Sequence, residues 1–450
     1  MKPYPKSDGA FYFVMNREIL RLAIPNILTN LTVPLVSLVD VALMGRMPSA
    51  AYIVAIGLGT LVFNFLYWAF GFLRMGTTGM VSQAFGRKDR QTQLLLLQKG
   101  LSISILGGLM LILLQWPLKE LALNLLQADD EVVPLLARYI DFRIWAAPAT
   151  ISIFVFTGWF LGMQDSRSAL YLALIINGCN AILSVLFVYG FELTIGGVAV
   201  GTVMAQFIGL FAGFLILSSK YQLTPGKLIK NLGQRLKAGK GWGEFISVNR
   251  DILIRTLCLI FTLSFFKAKA ANIDPVLGAA NVLLLEFISI SAYGIDGFAF
   301  AAEAISGKYF GEKNRIKLIR SIKYSFFWGG LIALLLALAY YLFGYDILSL
   351  LTNKQYVVEE AMPYLPWLVL APLVNMVAFI WDGVYIGTTS SVSMRNSMLV
   401  STLLVFLPAY FYFYPLYSNH GLWLSLTLFM LARGVLLSLL FKSKVLSRFN

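Results

Sequence analysis

Asp40 places a carboxylate inside the apolar run from Val33 to Met44. A helix rising about 1.5 Å per residue carries it roughly 35 Å from Arg17, into the outer part of any bilayer the chain crosses. An ionised carboxylate is costly there, so such a group can take up a proton from one side and release it to the other after a rearrangement. Asn177 and Asn180, one helical turn apart, and Thr202 are expected at similar depth. Amides both donate and accept, so these groups could hydrogen-bond Asp40 in either protonation state. The competing reading makes Asp40 an interfacial acid near a helix end, and Asn177, Asn180 and Thr202 polar links between helices. Pro34 precedes Asp40 by six residues and leaves the Asn30 carbonyl without its helical donor. That predicts a bend, and we read Pro34 as a hinge that protonation of Asp40 could bias, with Pro25 as a second weak point. A rigid kink used only for packing is the alternative.

A second set of charges is expected in the inner half of the same layer. Arg74 lies about eleven residues, roughly 16 Å, from the helix end at Phe85. Asp296, Glu303 and Asp382 and two further arginines, Arg255 and Arg433, enter at a similar level from other apolar stretches. Three arginines with three acids read as pairs, Arg74 with Asp296 or Glu303 in particular. Purely structural pairing, or Arg255 reaching back to the aqueous face, remains open. Among the aromatic and thioether side chains, Phe154, Trp159, Met163, Phe287 and Tyr293 are candidates to line a substrate cleft. The other aromatics are expected at lipid and interfacial positions.

The elements that must position these groups follow from composition. Of 450 residues, 58% are hydrophobic and 13% charged, against about 25% charged in soluble domains. Apolar stretches of about 20 residues recur roughly twelve times, from 19–43 through 421–441, and are apolar all round, which excludes both a soluble globule and an outer-membrane barrel. The fold class is therefore an all-α polytopic membrane protein with twelve transmembrane helices. The basic polar stretch within 219–247 divides it into a six-helix lobe at 1–218 and another at 248–450. Most of the 36 Lys and Arg fall in alternate loops, including Arg87, Lys88, Arg90 and the run from Lys220 to Lys240. The positive-inside rule then places both termini in the cytoplasm. Met1 to Asn16 lacks the pattern of a cleavable signal. Cys179 and Cys258 lie apart in apolar runs and His420 is the single histidine, so no metal set, cofactor or enzymatic chemistry is expected. The +14 net charge reads as loop topology and not as nucleic-acid binding.

The halves repeat. Asn16-Arg17-Glu18-Ile19-Leu20 parallels Asn249-Arg250-Asp251-Ile252-Leu253. At one constant offset, Phe85-Gly86-Arg87-Lys88-Asp89-Arg90 parallels Phe310-Gly311-Glu312-Lys313-Asn314-Arg315, and Gly158 and Gly162 parallel Gly383 and Gly387. An even number of spans per half predicts parallel bundles related by a pseudo-two-fold axis along the membrane normal.

Five strings carry a family resemblance. They are Leu38-Val39-Asp40-Val41-Ala42-Leu43-Met44-Gly45, then Phe72 to Gly79 with Gln83-Ala84-Phe85-Gly86, then Gly158-Trp159-Phe160-Leu161-Gly162-Met163-Gln164, then Ala292 to Glu303, and Trp381-Asp382-Gly383-Val384-Tyr385-Ile386-Gly387. With these the chain resembles the MATE (multidrug and toxic compound extrusion) transporters and, within them, the DinF-like branch. The resemblance implies secondary active export of amphipathic organic compounds from a bacterial inner membrane, driven by an inward ion gradient through alternating access. It also implies that Asp40 couples the cation. Some members carry a second acid where this chain has Ser184, so a two-carboxylate sodium cage is incomplete and protons are the expected coupling ion. Sodium coupling, or a flippase for a lipid-linked precursor, are the alternatives. Small organic substrates and membrane lipids are the expected partners of a monomeric chain.

Overall fold

The computed structural model describes residues 8–229, 241–271 and 273–449, with side chains from Val14 onward. The part of the expected basic linker at 230–240 lies outside the described residues. Its preceding segment forms the short helix Pro225–Ile229, held where the Gln98 amide donates to the Leu228 carbonyl at 2.6 Å.

All described secondary structure is helical. In chain order the long elements are α1 (Asp8–Met44), α2 (Ala51–Gly86), α3 (Arg90–Leu113), α4 (Val132–Gly162), α5 (Ser166–Gly190), α6 (Thr194–Tyr221), α7 (Trp242–Ala271), α8 (Pro275–Gly311), α9 (Arg315–Ser349), α10 (Gln355–Gly387), α11 (Ser391–Tyr417) and α12 (Asn419–Lys444). Among the described residues eleven are long and apolar enough to span a membrane. The other, α7, is 30 residues long but carries Asp251, Arg255, Lys267 and Lys269. Leu113, Leu439 and Leu106 are 82%, 72% and 70% exposed, as expected where the outer surface meets hydrocarbon. A short helix at Gln115–Leu126 follows α3 and has no counterpart in the expected spans.

The repeat is visible in backbone detail. Lys88 and its counterpart Lys313 have φ of 58° and 53°, and Gln164 and Thr389 have 62° and 49°. Asp89 and Asn314 cap the helices that follow, accepting from the amides of Thr92 and Lys317. A Cβ on Gly158 would fall 2.4 Å from the Arg74 carbonyl, and one on Gly383 2.3 Å from the corresponding Ala299 carbonyl. Both glycines exist because another helix backbone lies against them. α4 and α10 each contain a 3₁₀ turn, Ile144–Ala146 and Met362–Tyr364, followed at once by a proline-bearing segment. Pro148 and Pro366 cannot donate to the preceding turn, which explains the tightening there.

Two compact units emerge. One consists of residues 28–81 and 88–245; the other gathers 8–27, 82–87 and 246–449. The start of α1 and the end of α2, both within the expected lobe at 1–218, group with α7 to α12. Glu18 accepts from the Lys308 ammonium and the Tyr309 hydroxyl, and the Trp328 indole donates to Asn16 Oδ1 at 3.0 Å. Gln83 Nε2 donates to the Gly387 carbonyl at 2.9 Å. In the same unit the Asn281 and Asn419 amides bond reciprocally at 3.0 Å, and the Trp423 indole adds 2.9 Å to Asn281. This satisfied amide pair fixes α8 against α12 within an apolar core.

In the other unit the turn between α4 and α5 is fixed by Asp165. Its Oδ1 accepts from the Ser168 amide at 3.3 Å, and its Oδ2 accepts from the Lys220 ammonium at 2.7 Å and the Tyr221 hydroxyl at 2.6 Å. Burial pushes this carboxyl up, but the bonds from Lys220, Ser168 and Tyr221 outweigh it and hold the group below the usual carboxylate range. A depressed native value contributes stability above the unfolded value of about 4 and loses it as pH falls through the native one. Asp165→Asn should lower the melting temperature at pH 7, and the gap should narrow progressively as pH falls below the ordinary carboxylate value of about 4. A gap that does not narrow in acid would mean that cap geometry, not charge, is what Asn lacks.

Candidate functional site

Asp40 sits near the end of α1, half-buried beside Ser184 of α5 and in electrostatic reach of Arg143 of α4. Small residues seat α5 closely against α6 at the level of Ser184. Cβ atoms on Gly197 and Gly201 of α6 would come within 3.0 and 2.8 Å of the α5 backbone at Phe187 and Ser184, the spacing of a close helix crossing. Immediately past Ser184, α5 widens into a π-helical turn, Leu186–Gly190, a distortion that recurs at functional sites.

Arg143 completes the surroundings. Its guanidinium lies 5.3 Å from the Phe63 ring and 5.5 Å from the Tyr67 ring, within the range of cation–π attraction. Tyr139, one turn before it, occupies the space that Gly59 leaves open, where a Cβ would meet the ring at 2.3 Å. Tyr67 and Tyr139 lie against Arg143, and Thr150 lies against Tyr67. Four side-chain atoms of this cluster are buried without a hydrogen-bond partner: Asp40 Oδ1, Tyr67 Oη, Thr150 Oγ1 and Arg143 Nη1. Buried polar groups are satisfied nearly everywhere in folded proteins, so these four, like the unpartnered atoms of Arg255, Asp382 and Arg433, stand out.

The expected partners of Asp40 are engaged elsewhere. Asn177 Nδ2 donates to Thr32 Oγ1 at 2.6 Å, tying α5 to α1 below the acid. Asn180 Oδ1 accepts from the Ser184 hydroxyl at 3.4 Å, one step removed from Asp40. Thr202 Oγ1 is returned to the Val198 carbonyl of its own helix at 2.8 Å. α1 continues as one helix through Pro34. Arg143, Tyr67 and Tyr139 were not singled out from the sequence. The available signal was a cation in the apolar stretch Phe142-Arg143-Ile144-Trp145 with a tyrosine four residues earlier.

The inner charges resolve into a trio in the other unit. Asp382 Oδ2 of α10 accepts from Arg433 Nη2 of α12 at 2.6 Å and from Arg255 Nη2 of α7. Arg433 is 1% exposed, donates to the Met430 sulfur at 3.0 Å and lies 5.4 Å from the Phe429 ring. Asp296 is near enough to act on Arg433 electrostatically; the ion pairs of the trio are those of Asp382 with Arg255 and Arg433. Glu303 is buried on α8. Arg74 belongs to the unit of residues 28–81 and 88–245, while Asp296 and Glu303 belong to the other.

Of the cleft candidates, two are spent on packing. Trp159 is 1% exposed, donates its indole N–H to the Gln93 carbonyl at 3.0 Å and meets the Tyr221 ring at 4.7 Å. Phe287 lies in the apolar core of α8 and α9 against Tyr340, 6.2 Å between rings. A buried indole needs an acceptor and a buried phenyl ring needs none, but neither residue type reveals from sequence which surface it faces. Phe154, Met163 and Tyr293 remain partly accessible. One acid went unnoticed: Glu286 lines a cavity of about 680 Å³ with Val282, Leu283, Lys354 and Tyr356.

The comparisons with known proteins bear on this arrangement. The MatE family model matches residues 25–186 and 259–411, one match in each repeated half. The chain belongs to the MatE family. DNA damage-inducible protein F of Escherichia coli (strain K12) is 32% identical over 442 residues, covering 96% of this chain and 93% of that protein. The multidrug export protein MepA of Staphylococcus aureus (strain MRSA252) is 22% identical over 94% of this chain and 93% of its own length. A solved MATE family transporter described as outward-facing superposes with a TM-score of 0.85 at 18% identity, over 97% of each chain. At that identity the likeness speaks to fold. The expected MATE membership, DinF-like relatives and multi-pass helical architecture are thus established.

Proposed function

We propose that this MATE chain is a proton-coupled antiporter that exports amphipathic organic molecules, with Asp40 as the group that binds and releases the proton. The observation that carries this reading is a half-buried carboxylate with an unpartnered Oδ1 in electrostatic reach of Arg143. A carboxyl in such surroundings, with a cation in reach, can gain and lose a proton as the helices around it rearrange. A protonated carboxyl is neutral and can donate within the cluster. A sodium ion would need several more oxygens and would stand against the Arg143 guanidinium. The relative named as a multidrug exporter supports organic substrates, as does a cavity of about 680 Å³ with apolar walls and Glu286, within the usual range for drug-sized ligands. The basic ends of the helices favour a cell inner membrane with both termini cytoplasmic.

The reading is tested by reconstituting the chain in liposomes and recording a fluorescent organic cation. A pH gradient alone should drive movement and a sodium gradient alone should not. Movement under sodium alone would replace the proton by sodium.

Pro34 would transmit the change. With one backbone bond missing close to Asp40, α1 has two nearly equal arrangements that protonation can bias. Pro34→Ala should keep substrate binding but lose most of the response to pH. Export at the parental rate would make the proline a packing feature.

A further inference from the structure

At the helix ends opposite the Glu286 cavity, a separate concavity of about 200 Å³ is lined by Arg87, Phe310, Gly311, Lys313, Arg448 and Phe449. Three segments far apart in sequence supply its three cations, and among the described residues no acid lines it. Its construction is specific. Gly86 and Gly311 have no room for a side chain: a Cβ on the first would lie 2.0 Å from the Lys308 carbonyl, and one on the second 2.2 Å from the Gln83 carbonyl. That close crossing sets Arg87 beside the end of α8. Lys313 is turned by its positive φ of 53°, and its amide donates to the Phe310 carbonyl at 3.0 Å.

Arg448 is held in place. Its Nη1 donates to the Thr388 carbonyl at 2.8 Å and to Ser390 Oγ at 3.3 Å. Its guanidinium lies 4.6 Å from the Phe310 ring, which in turn meets Phe449 edge-on at 5.2 Å. The nearest acid in sequence, Glu312, pairs with Lys317 at 3.5 Å. Arg87 is exposed and its side chain has no bonding partner among the described residues.

We infer that this pocket binds a phosphate group, most naturally the headgroup phosphate of an anionic membrane lipid. Guanidinium groups suit phosphate oxygens, and an ammonium adds a point charge. Basic pockets at the ends of membrane helices recruit anionic headgroups in this way. The volume falls below the roughly 300 Å³ at which pockets for whole organic ligands begin, so it fits a headgroup and not a transported molecule. Bound phosphate would join Arg87, at the end of α2, to Lys313 and Arg448. It would thus reinforce the attachment of residues 82–87 to the helices of the second half, and anionic lipid would favour that packed state independently of which ion drives transport.

The test uses the full chain in phosphatidylcholine vesicles, with or without one-fifth phosphatidylglycerol, read by melting temperature and by native mass spectrometry of retained lipid. Wild type should melt higher with phosphatidylglycerol and retain it. The combined variant Arg87→Gln, Lys313→Gln, Arg448→Gln should lose the shift and retain at least about tenfold less. Arg87→Gln alone, which removes no bond within the protein, should retain several-fold less lipid while keeping the parental melting temperature in neutral vesicles. A charge-matched control, Arg90→Gln, Lys442→Gln, Lys444→Gln, should behave as wild type. If inorganic phosphate in neutral vesicles reproduces the shift, and the pocket variant abolishes it, the site stands with a soluble phosphate as its source. Equal lipid retention by wild type and both pocket variants, or equal loss in the control, would overturn the proposal.

Discussion

Asp40→Asn should fold, insert and bind substrate, yet carry out no gradient-driven export above the level of protein-free vesicles. Asn is the nearest neutral mimic of a protonated carboxyl, so the variant is held in one charge state of the cycle. Exchange of internal for external substrate, which needs no net proton movement, should survive better than export driven by a pH gradient. The contrast separates a coupling residue from a structural one, because a structural role would depress both processes together. Proton-driven export at the parental rate by Asp40→Asn would remove Asp40 from the mechanism.

The largest effect on stability is expected at Asp382. Arg433 and Arg255 both donate to its Oδ2, and the side chains of Asp382 and Arg255 are each 7% exposed and that of Arg433 1%. Asp382→Ala leaves two buried guanidinium groups without their counter-charge. Removing one member of a buried ionic set costs about 3–5 kcal/mol, whereas replacing the whole set by apolar groups of similar volume is often neutral. The single variant should therefore lose a large part of its thermal stability, and Arg255→Met, Asp382→Leu, Arg433→Met together should recover most of it. Melting temperatures in one membrane mimetic decide the matter. A single variant as stable as the parent would show that the guanidiniums find water or other acids, and that the trio is not what holds α7, α10 and α12 together.

The division between what could and could not be read from the chain has a physical basis. Helical spans, the repeat and Asp40 depend on local pattern: long apolar runs, glycines at matching positions, one acid where acids are expensive. The Gly158 and Gly383 pair was legible as a repeat, and each turns out to seat a backbone carbonyl at corresponding places, Arg74 and Ala299. The neighbours of Asp40 depend on how three or four helices rotate about their own axes, which spacing along one helix does not specify. Asn177, Asn180 and Thr202 were reasonable by depth, but each satisfies a nearer group. Arg143 is the cation in electrostatic reach of Asp40, and nothing in its spacing along the chain ties it to that acid. Trp159 and Phe287 failed as cleft residues for the same reason: hydrophobicity marks a side chain as out of water without saying whether protein, lipid or substrate covers it. The grouping of 8–27 and 82–87 with the second half follows from contacts such as Glu18 with Lys308, which join residues almost three hundred positions apart.

Proton antiport requires that each organic molecule moving outward be accompanied by a proton moving inward. It is tested most directly in sealed liposomes with equal pH and sodium on both sides, a pH-sensitive dye in the lumen and a substrate gradient imposed alone. Substrate leaving the lumen through the protein should acidify it, without sodium, and the dye signal should vanish in Asp40→Asn. Substrate movement with no change in luminal pH, or a change that appears only when sodium is present, would contradict proton antiport.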